Sequence, residues 1–468
     1  MREGYRGEKD QHKVSADNII KVRDDREPIV FRLTSDKKKF SLEAGRCLTW
    51  CSEGVFEKGD LRARVEPWLT SLFQSEHLSL LIGSGLTTAI QYAACEQTDN
   101  CMNRELEFTF FSDEIKEEAD RGAEAAGRGA SNIEDQIRVA NELIKGLNII
   151  KRNNEFAIHA EKIEALCSDL ERVIEMFANN ILAIEHDIFS AKKGKGGAAF
   201  SKLVLFLMSF ASRVGTRDRL HIFTTNYDRL IEAGADIAGL RLIDRFVGAL
   251  FPIFRSSRLD VDMHYNPPGI RGEPRYLEGV ARFTKLHGSL DWLNVEDHIR
   301  RIGLPFGAKS IEPFLKNERI NERCVSMMIY PNAAKDRETA EYPYVELFRD
   351  FAAALCRPNS TIVTYGYSFG DDHINRVIQD MLTIPSTHLV IIAYDDSTGR
   401  IMDKYHTWGR ESQISLIIGK DIANIDDLVD YYLPKPAIDR VSMRMADILR
   451  RRMNWPSDKE QGGGSSSE

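Results

Sequence analysis

The chain has 468 residues, 43% of them apolar and 29% charged, and a formal net charge of −8. That length allows one large domain with insertions or several ordinary ones, and the acidic balance argues against a broad nucleic-acid footprint, which needs a basic surface. Neither a signal peptide nor a membrane span is legible, because the amino terminus is charged and the most apolar stretch, Phe200–Phe210, falls short of the roughly 20 residues a bilayer requires.

Residues 1–27 are highly charged and aperiodic, and read as loose or partner-dependent. Pro28–Thr34 suits a strand and Leu61–Phe73 a helix. Leu78–Ile82 is the first convincing buried strand, with a turn at Gly83–Gly85 and an apolar helix from Leu86 to Cys95. Between Cys101 and Arg213 apolar residues recur at helical spacing, as in Ile133, Ile137, Leu143 and Leu147, then Ile163, Leu166, Leu170 and Ile174. Ser131 to Glu134 matches a capping box, in which Ser and Glu satisfy each other's free amides at a helix start. The glycine-rich Lys193–Gly197 closes this helical stretch. Strands resume at Leu220–Thr224, Phe283–Leu286, Val325–Ile329, Thr361–Thr364 and His388–Ala393, with helices at Tyr227–Ala233, Val345–Leu355 and His373–Leu382. This alternation predicts an α/β fold whose parallel sheet is covered by helices on both faces. Asp426–Tyr432 and Ile438–Met453 read as closing helices, followed by a tail of linker composition. Seven cysteines, mostly isolated, fit reduced thiols in the cytoplasm, and Cys47 with Cys51 lacks a second pair for zinc.

Four short segments stand where an apolar run ends and a polar turn begins: LLIGSG at Leu80–Gly85, FTTNYD at Phe223–Asp228, KLHGS at Lys285–Ser289 and TYGYSFGDDHIN at Thr364–Asn375. Parallel α/β sheets build ligand sites at such strand ends. The turn Gly83, Ser84, Gly85 suits close approach of a pyrophosphate to a helix start, although strand–helix turns also use glycine for steric reasons. Asn226 and Asp228 suit both ligand contact and a helix start with its first-turn acid. His287 at a strand end has the chemistry to move a proton near neutral pH; the plain alternative is a polar turn histidine. Asp371 and Asp372 read as acids at a helix start, His373 and Asn375 as decoration of that helix. Asp395, ending the last strand, suits an adenosine ribose contact. No GxxxxGK[ST] phosphate loop is present.

Together these segments resemble the sirtuin family, and more closely its bacterial NAD-hydrolysing branch of antiphage defence. They span most of the chain. The resemblance implies a Rossmann-like sheet and NAD as substrate, with no metal in the chemistry. It implies catalytic roles for Asn226 and His287, and NAD contacts for Gly83, Ser84, Gly85, Thr225, Asp228, Gly366, Ser368 and Asp395. In this branch an acidic helix start faces the ligand, which sets Glu134 between that role and the cap. The defence proteins further imply a homo-oligomer and a HerA-type hexameric translocase ATPase as partner, with no membrane and no direct nucleic-acid contact. Departures occur too. LTTAIQY replaces the Phe-Arg loop that shields nicotinamide in sirtuins. The four-cysteine zinc module and the peptide-pairing strand of sirtuin deacylases have no counterpart between Leu290 and Pro358. The expected activity is therefore NAD hydrolysis to nicotinamide and ADP-ribose; a protein deacylase and a non-catalytic NAD or ADP-ribose sensor are the alternatives. The expected organisation is an extension over 1–70, a catalytic domain from 71–100 and 214–434, a helical insertion over 101–213, a closing helix over 435–460 and a tail over 461–468.

Overall fold

The computed structural model describes residues 17–22, 25–42, 48–51, 53–98, 106–125, 129–151, 160–192, 194–213, 217–257, 261–265, 275–295, 298–315, 327–329 and 342–435. The predicted helix over Ile438–Met453, the tail, and Cys47 lie outside these residues.

Eleven strands form the main sheet. In chain order they are β1 (Asn18–Lys21), β2 (Ile29–Leu33), β3 (Lys39–Leu42), β4 (Val55–Glu57), β5 (His77–Ile82), β6 (Leu220–Thr224), β7 (Arg241–Ile243), β8 (Val280–Lys285), β9 (Ser360–Tyr365), β10 (His388–Ala393) and β11 (Ile414–Ile418). Their spatial order is 4-3-2-1-11-10-9-5-6-8-7. From β11 to β7 every neighbouring pair is parallel. Residues such as Leu80, Ile222, Val363 and Leu389 are fully enclosed in these strands, as expected when helices cover both faces. The fold is thus mixed α/β and Rossmann-like. The first four strands are antiparallel to one another, and β1 runs antiparallel to β11, with Ile19 opposite Ile418.

This corrects the reading of residues 1–27. Asn18–Lys21 is a buried strand of four residues in the sheet. Four residues are too few for alternation to show, and the partner strand lies almost at the other end of the chain. A second, five-stranded antiparallel sheet was also not foreseen; it contains Gly288–Val295 and Met327–Ile329. Met327–Ile329 therefore belongs to that sheet and not to the parallel one.

Helices α1 (Lys58–Phe73), α2 (Ser84–Cys95), α3 (Ser112–Ala125), α4 (Ile133–Ile150), α5 (Ala160–Ser190), α6 (Lys195–Ala211) and α7 (Leu230–Ala238) precede β7; α8 (Tyr344–Leu355), α9 (Asp372–Met381) and α10 (Arg400–Thr407) follow β8. Helices α3 to α6 are inserted between α2 and β6. Apolar residues of α5 and α6, including Phe177, Leu182, Leu203 and Phe206, join one continuous core with α2 and the sheet. The other face is sealed by α8, α9 and α10 through Phe351, Ile378 and Tyr405.

The order of connection fixes where a ligand site belongs. From β5 the chain moves outward through β6 to β8 and β7, then returns to the other side of β5 as β9. Between β5 and β9 the winding reverses, and open sheets bind ligands beyond the strand ends at such a reversal.

Candidate active site

Two turns meet at that reversal. The backbone N–H of Gly83 donates to Tyr365 O at 3.0 Å, and that of Gly85 to Gly366 O at 3.1 Å. A Cβ on Gly83 would lie 2.4 Å from Gly366 O, and one on Gly85 2.6 Å from Gly366 Cα. Gly366 has φ +60°, a conformation that favours glycine. These glycines therefore let two backbone segments touch. The Gly85 amide is spent on that contact, and Ser84 is left facing outward at the start of α2.

Beyond the turns lies a cavity of about 550 Å³. Its floor is Gly83, Ser84, Thr225, Asn226, Gly366 and Ser368; its sides include Thr87, Tyr227, Asp228, His287, Asp371 and Arg400; and the insertion contributes Asn132, Glu134, Phe177, Ile181 and Ile184. Gly85 and Asp395 are not in the lining. Asp395 is exposed and accepts from the backbone of Ser397 at 3.1 Å. The neighbouring Asp396 instead caps α10, accepting from the amides of Ile401 and Met402.

Asn226 is buried at the end of β6. Its Nδ2 donates to Gly83 O and to Thr87 Oγ1, both at 3.1 Å. Thr87 Oγ1 in turn donates to Asp228 Oδ2 at 2.7 Å, while Asp228 Oδ1 accepts from the amide of Leu230 at 3.0 Å. Asp228 thus starts the helix and orients Thr87, which orients Asn226. With both amide hydrogens committed, Asn226 turns its oxygen to the cavity as a hydrogen-bond acceptor. Lys285, buried at the end of β8, ties down the same loop by donating to Asp228 O and Glu232 Oε1.

His287 sits in the joint where β8 of the main sheet passes into the strand Gly288–Val295 of the second. Gly288 has φ +87° there, so the chain changes direction directly after the histidine. The His287 ring lies between Tyr227 and His373, with centroids 6.5 Å and 5.6 Å away. His373 also meets Phe348 edge-on. It is a buried neighbour of His287 and not decoration. Asn375 is buried as well: it donates to Phe369 O at 2.9 Å and accepts from Tyr367 at 3.3 Å, locking the loop from Gly366 to Asp371. Asp371 occupies the N-cap position of α9 without a side-chain cap bond.

The insertion brings a second correction. The capping box of α4 is made by Asn132 and Asp135, one residue later than predicted, with each accepting the other's amide. Ser131 bonds Asp120 instead. Glu134 is released to the cavity, where it accepts from the Tyr227 hydroxyl at 3.0 Å. Burial, reinforced by the Glu134 charge, holds that phenol protonated well above its usual range. Deeper in the wall, Glu185 of α5 receives both the backbone and the guanidinium of Arg229. Burial lifts the Glu185 carboxyl to about 7 against the pull of Arg229.

The lining carries three carboxylates, on Glu134, Asp228 and Asp371, which suit a positive charge developing on a ligand. Arg400 is the only arginine or lysine in the lining among the described residues. It and the start of α2 suit an anionic group.

Residues 220–417 match the family model of the SIR2-like domain. This segment is similar to the SIR2-like domain family. The match runs from the first residue of β6 into β11 and includes three of the four motif segments; the turn at Gly83–Gly85 precedes it. This family uses NAD and requires no metal for its chemistry. Among the described residues no group of His, Cys, Asp and Glu is arranged to hold a metal ion. No described helix is long and apolar enough to cross a membrane. No curated protein matches the chain.

Proposed function

We propose that the chain is an NAD hydrolase that cleaves the bond between nicotinamide and ribose. The observation that carries this reading is that Asn226 and His287, from separate segments, line one cavity with both glycine turns. Cleavage moves the bonding electron pair onto the cationic nicotinamide ring, which leaves neutral. Positive charge then develops at the ribose C1′, as in glycoside cleavage. The carboxylates of the lining, Glu134 and Asp371 among them, stabilise that charge electrostatically. Water adds to C1′, and His287 accepts a proton from the water or a ribose hydroxyl. Asn226, held through Thr87, accepts a hydrogen bond from ribose or water and fixes its direction. Gly83, Ser84, Thr225, Gly366 and Ser368 form the surface against which the dinucleotide lies, and Arg400 balances its diphosphate. Asp395, outside the lining, drops out of this reading.

Nicotinamide release from NAD by the purified chain tests the assignment. Asn226→Ala and His287→Ala should each lower turnover about 10²–10⁴-fold, and the double variant should be little worse, since groups acting as a unit are non-additive. Full activity in His287→Ala removes it as the base. Release only when an acyl-lysine peptide is added identifies a deacylase; NAD binding without release identifies a sensor. On the sirtuin-like resemblance, we extend the reading to antiphage defence by NAD depletion, in a homo-oligomer partnered by a HerA-type ATPase. Co-expression with such an ATPase, followed by light scattering and NAD turnover, tests that extension.

A further inference from the structure

A second cavity, of about 480 Å³, opens at the opposite ends of β5, β6 and β8. Its wall holds Arg217, Arg219, Arg282 and Arg357. Three carboxylates share this wall, but each is already engaged. Arg219 pairs with Asp262 at 3.0 Å. Arg357 and His77 converge on Asp218, at 3.1 Å and 2.6 Å. Asp350 is taken by Arg245, a guanidinium 4% exposed that stands behind the wall.

Arg282 is left over. Its side chain makes no hydrogen bond or ion pair among the described residues, and its Nε is buried without a partner. Arg245 likewise keeps one terminal nitrogen, NH1, buried and unpartnered. A guanidinium stays charged and carries five donors. Arg245 stands behind the lining, but Arg282 is part of it, so an acceptor-rich anion in the cavity would meet a guanidinium that has no other partner among the described residues. Burial, and after it the charges of Arg282, Arg245 and Arg357, holds the neighbouring His221 neutral, well below the usual histidine range. At the rim, Tyr276 lies under the Arg219 guanidinium, 5.5 Å from its ring centroid, and offers an aromatic face.

We propose that this second cavity binds a phosphate-bearing anion, with Arg282 as its central contact and Arg217 at the entrance. Phosphate suits it because several oxygens accept from diverging guanidinium donors at once. The assignment is independent of the NAD-hydrolase reading: no residue of this wall lines the cavity at the other strand ends.

Calorimetric titration of the full chain with pyrophosphate, at matched ionic strength in chloride, tests the site. Saturable binding is expected, weakened about tenfold or more by Arg282→Gln, because a charge-assisted hydrogen bond is lost. Equal affinity in a folded Arg282→Gln protein, or no binding by the parent chain into the millimolar range, overturns the proposal. Arg217 is exposed and makes no hydrogen bond among the described residues, so Arg217→Gln will fold. It should bind pyrophosphate several-fold more weakly, and unchanged affinity there also counts against the site.

Discussion

Thr87 Oγ1 stands between two polar side chains, donating to Asp228 and accepting from Asn226. Nothing in LTTAIQY marks that threonine, since a hydroxyl on an amphipathic helix is equally at home facing water. Its role appears only when α2 is placed beside the end of β6. Removing the hydroxyl while keeping the shape, as in Thr87→Val, should leave NAD affinity nearly unchanged and lower turnover about tenfold, the cost of roughly one lost hydrogen bond. Steady-state nicotinamide release would show this as a fall in kcat with little change in KM. Asn226, His287, Gly366 and Ser368 were singled out because each sits in a short segment at a strand end, and all four line the cavity. Asp395 was singled out for the same reason and lies outside the lining. Two successive aspartates follow β10 and Tyr394, and the sequence has no means of telling which one caps α10. The glycines of the first turn were found, but their reason was not: they meet another backbone 281 residues along the chain, a contact without local trace.

At the scale of elements, β5, β6, β8, β9 and β10 were expected as strands because each carries apolar residues up to a polar turn, whereas the parallel strands β7 and β11 were not expected. Nor were the short strands, because a segment such as Asn18–Lys21 is defined by its partner. The cap of α4 shows how a shift of one residue changes meaning. With Ser131 as cap, Glu134 is structural; with Asn132 as cap, Asp135 takes that task and Glu134 faces the cavity. The two roles separate cleanly by mutation. Asn132→Ala should lower unfolding free energy by about 1 kcal/mol, the usual worth of a cap. Glu134→Gln keeps the helix start and a hydrogen-bond acceptor for Tyr227 but removes a negative charge, so it should lower turnover with little change in stability. Urea unfolding beside nicotinamide release distinguishes them; a Glu134→Gln protein as destabilised as Asn132→Ala would restore the cap reading.

Across the whole molecule, the sheet is tied to α1 through a part-buried polar contact. Trp68 donates to Ser415 Oγ at 3.0 Å, and the same hydroxyl lies 2.8 Å from His388 Nε2. An indole N–H only donates, so Ser415 accepts it and has its own hydrogen for a neutral His388. Burial, and behind it the Lys21 charge, pulls the His388 pKa down from 6.5 to about 4. The unfolded chain then binds a proton that the folded chain refuses, so stability is intact above about pH 6.5 and is lost as pH falls toward 4. The full shift corresponds to about 3 kcal/mol. Urea unfolding at pH 7 and at pH 4.5 should show a smaller acid loss in His388→Gln than in the parent chain; equal losses would mean that other groups govern the acid limit.

The two turns at the head of the sheet touch backbone to backbone, and this separates the cavity into a fixed part and an exchangeable part. Its floor is fixed at the glycines: a methyl group on Gly83, or on Gly85 beside it, would run into the backbone of Gly366. Its ceiling is built from Asn132, Glu134, Phe177, Ile181 and Ile184, all carried by one inserted stretch of chain that packs on α2 and the loop after β6. Divergence in what such a protein accepts is thereby channelled into the ceiling, and grafting a different ceiling onto an unchanged floor is the economical route to a new specificity.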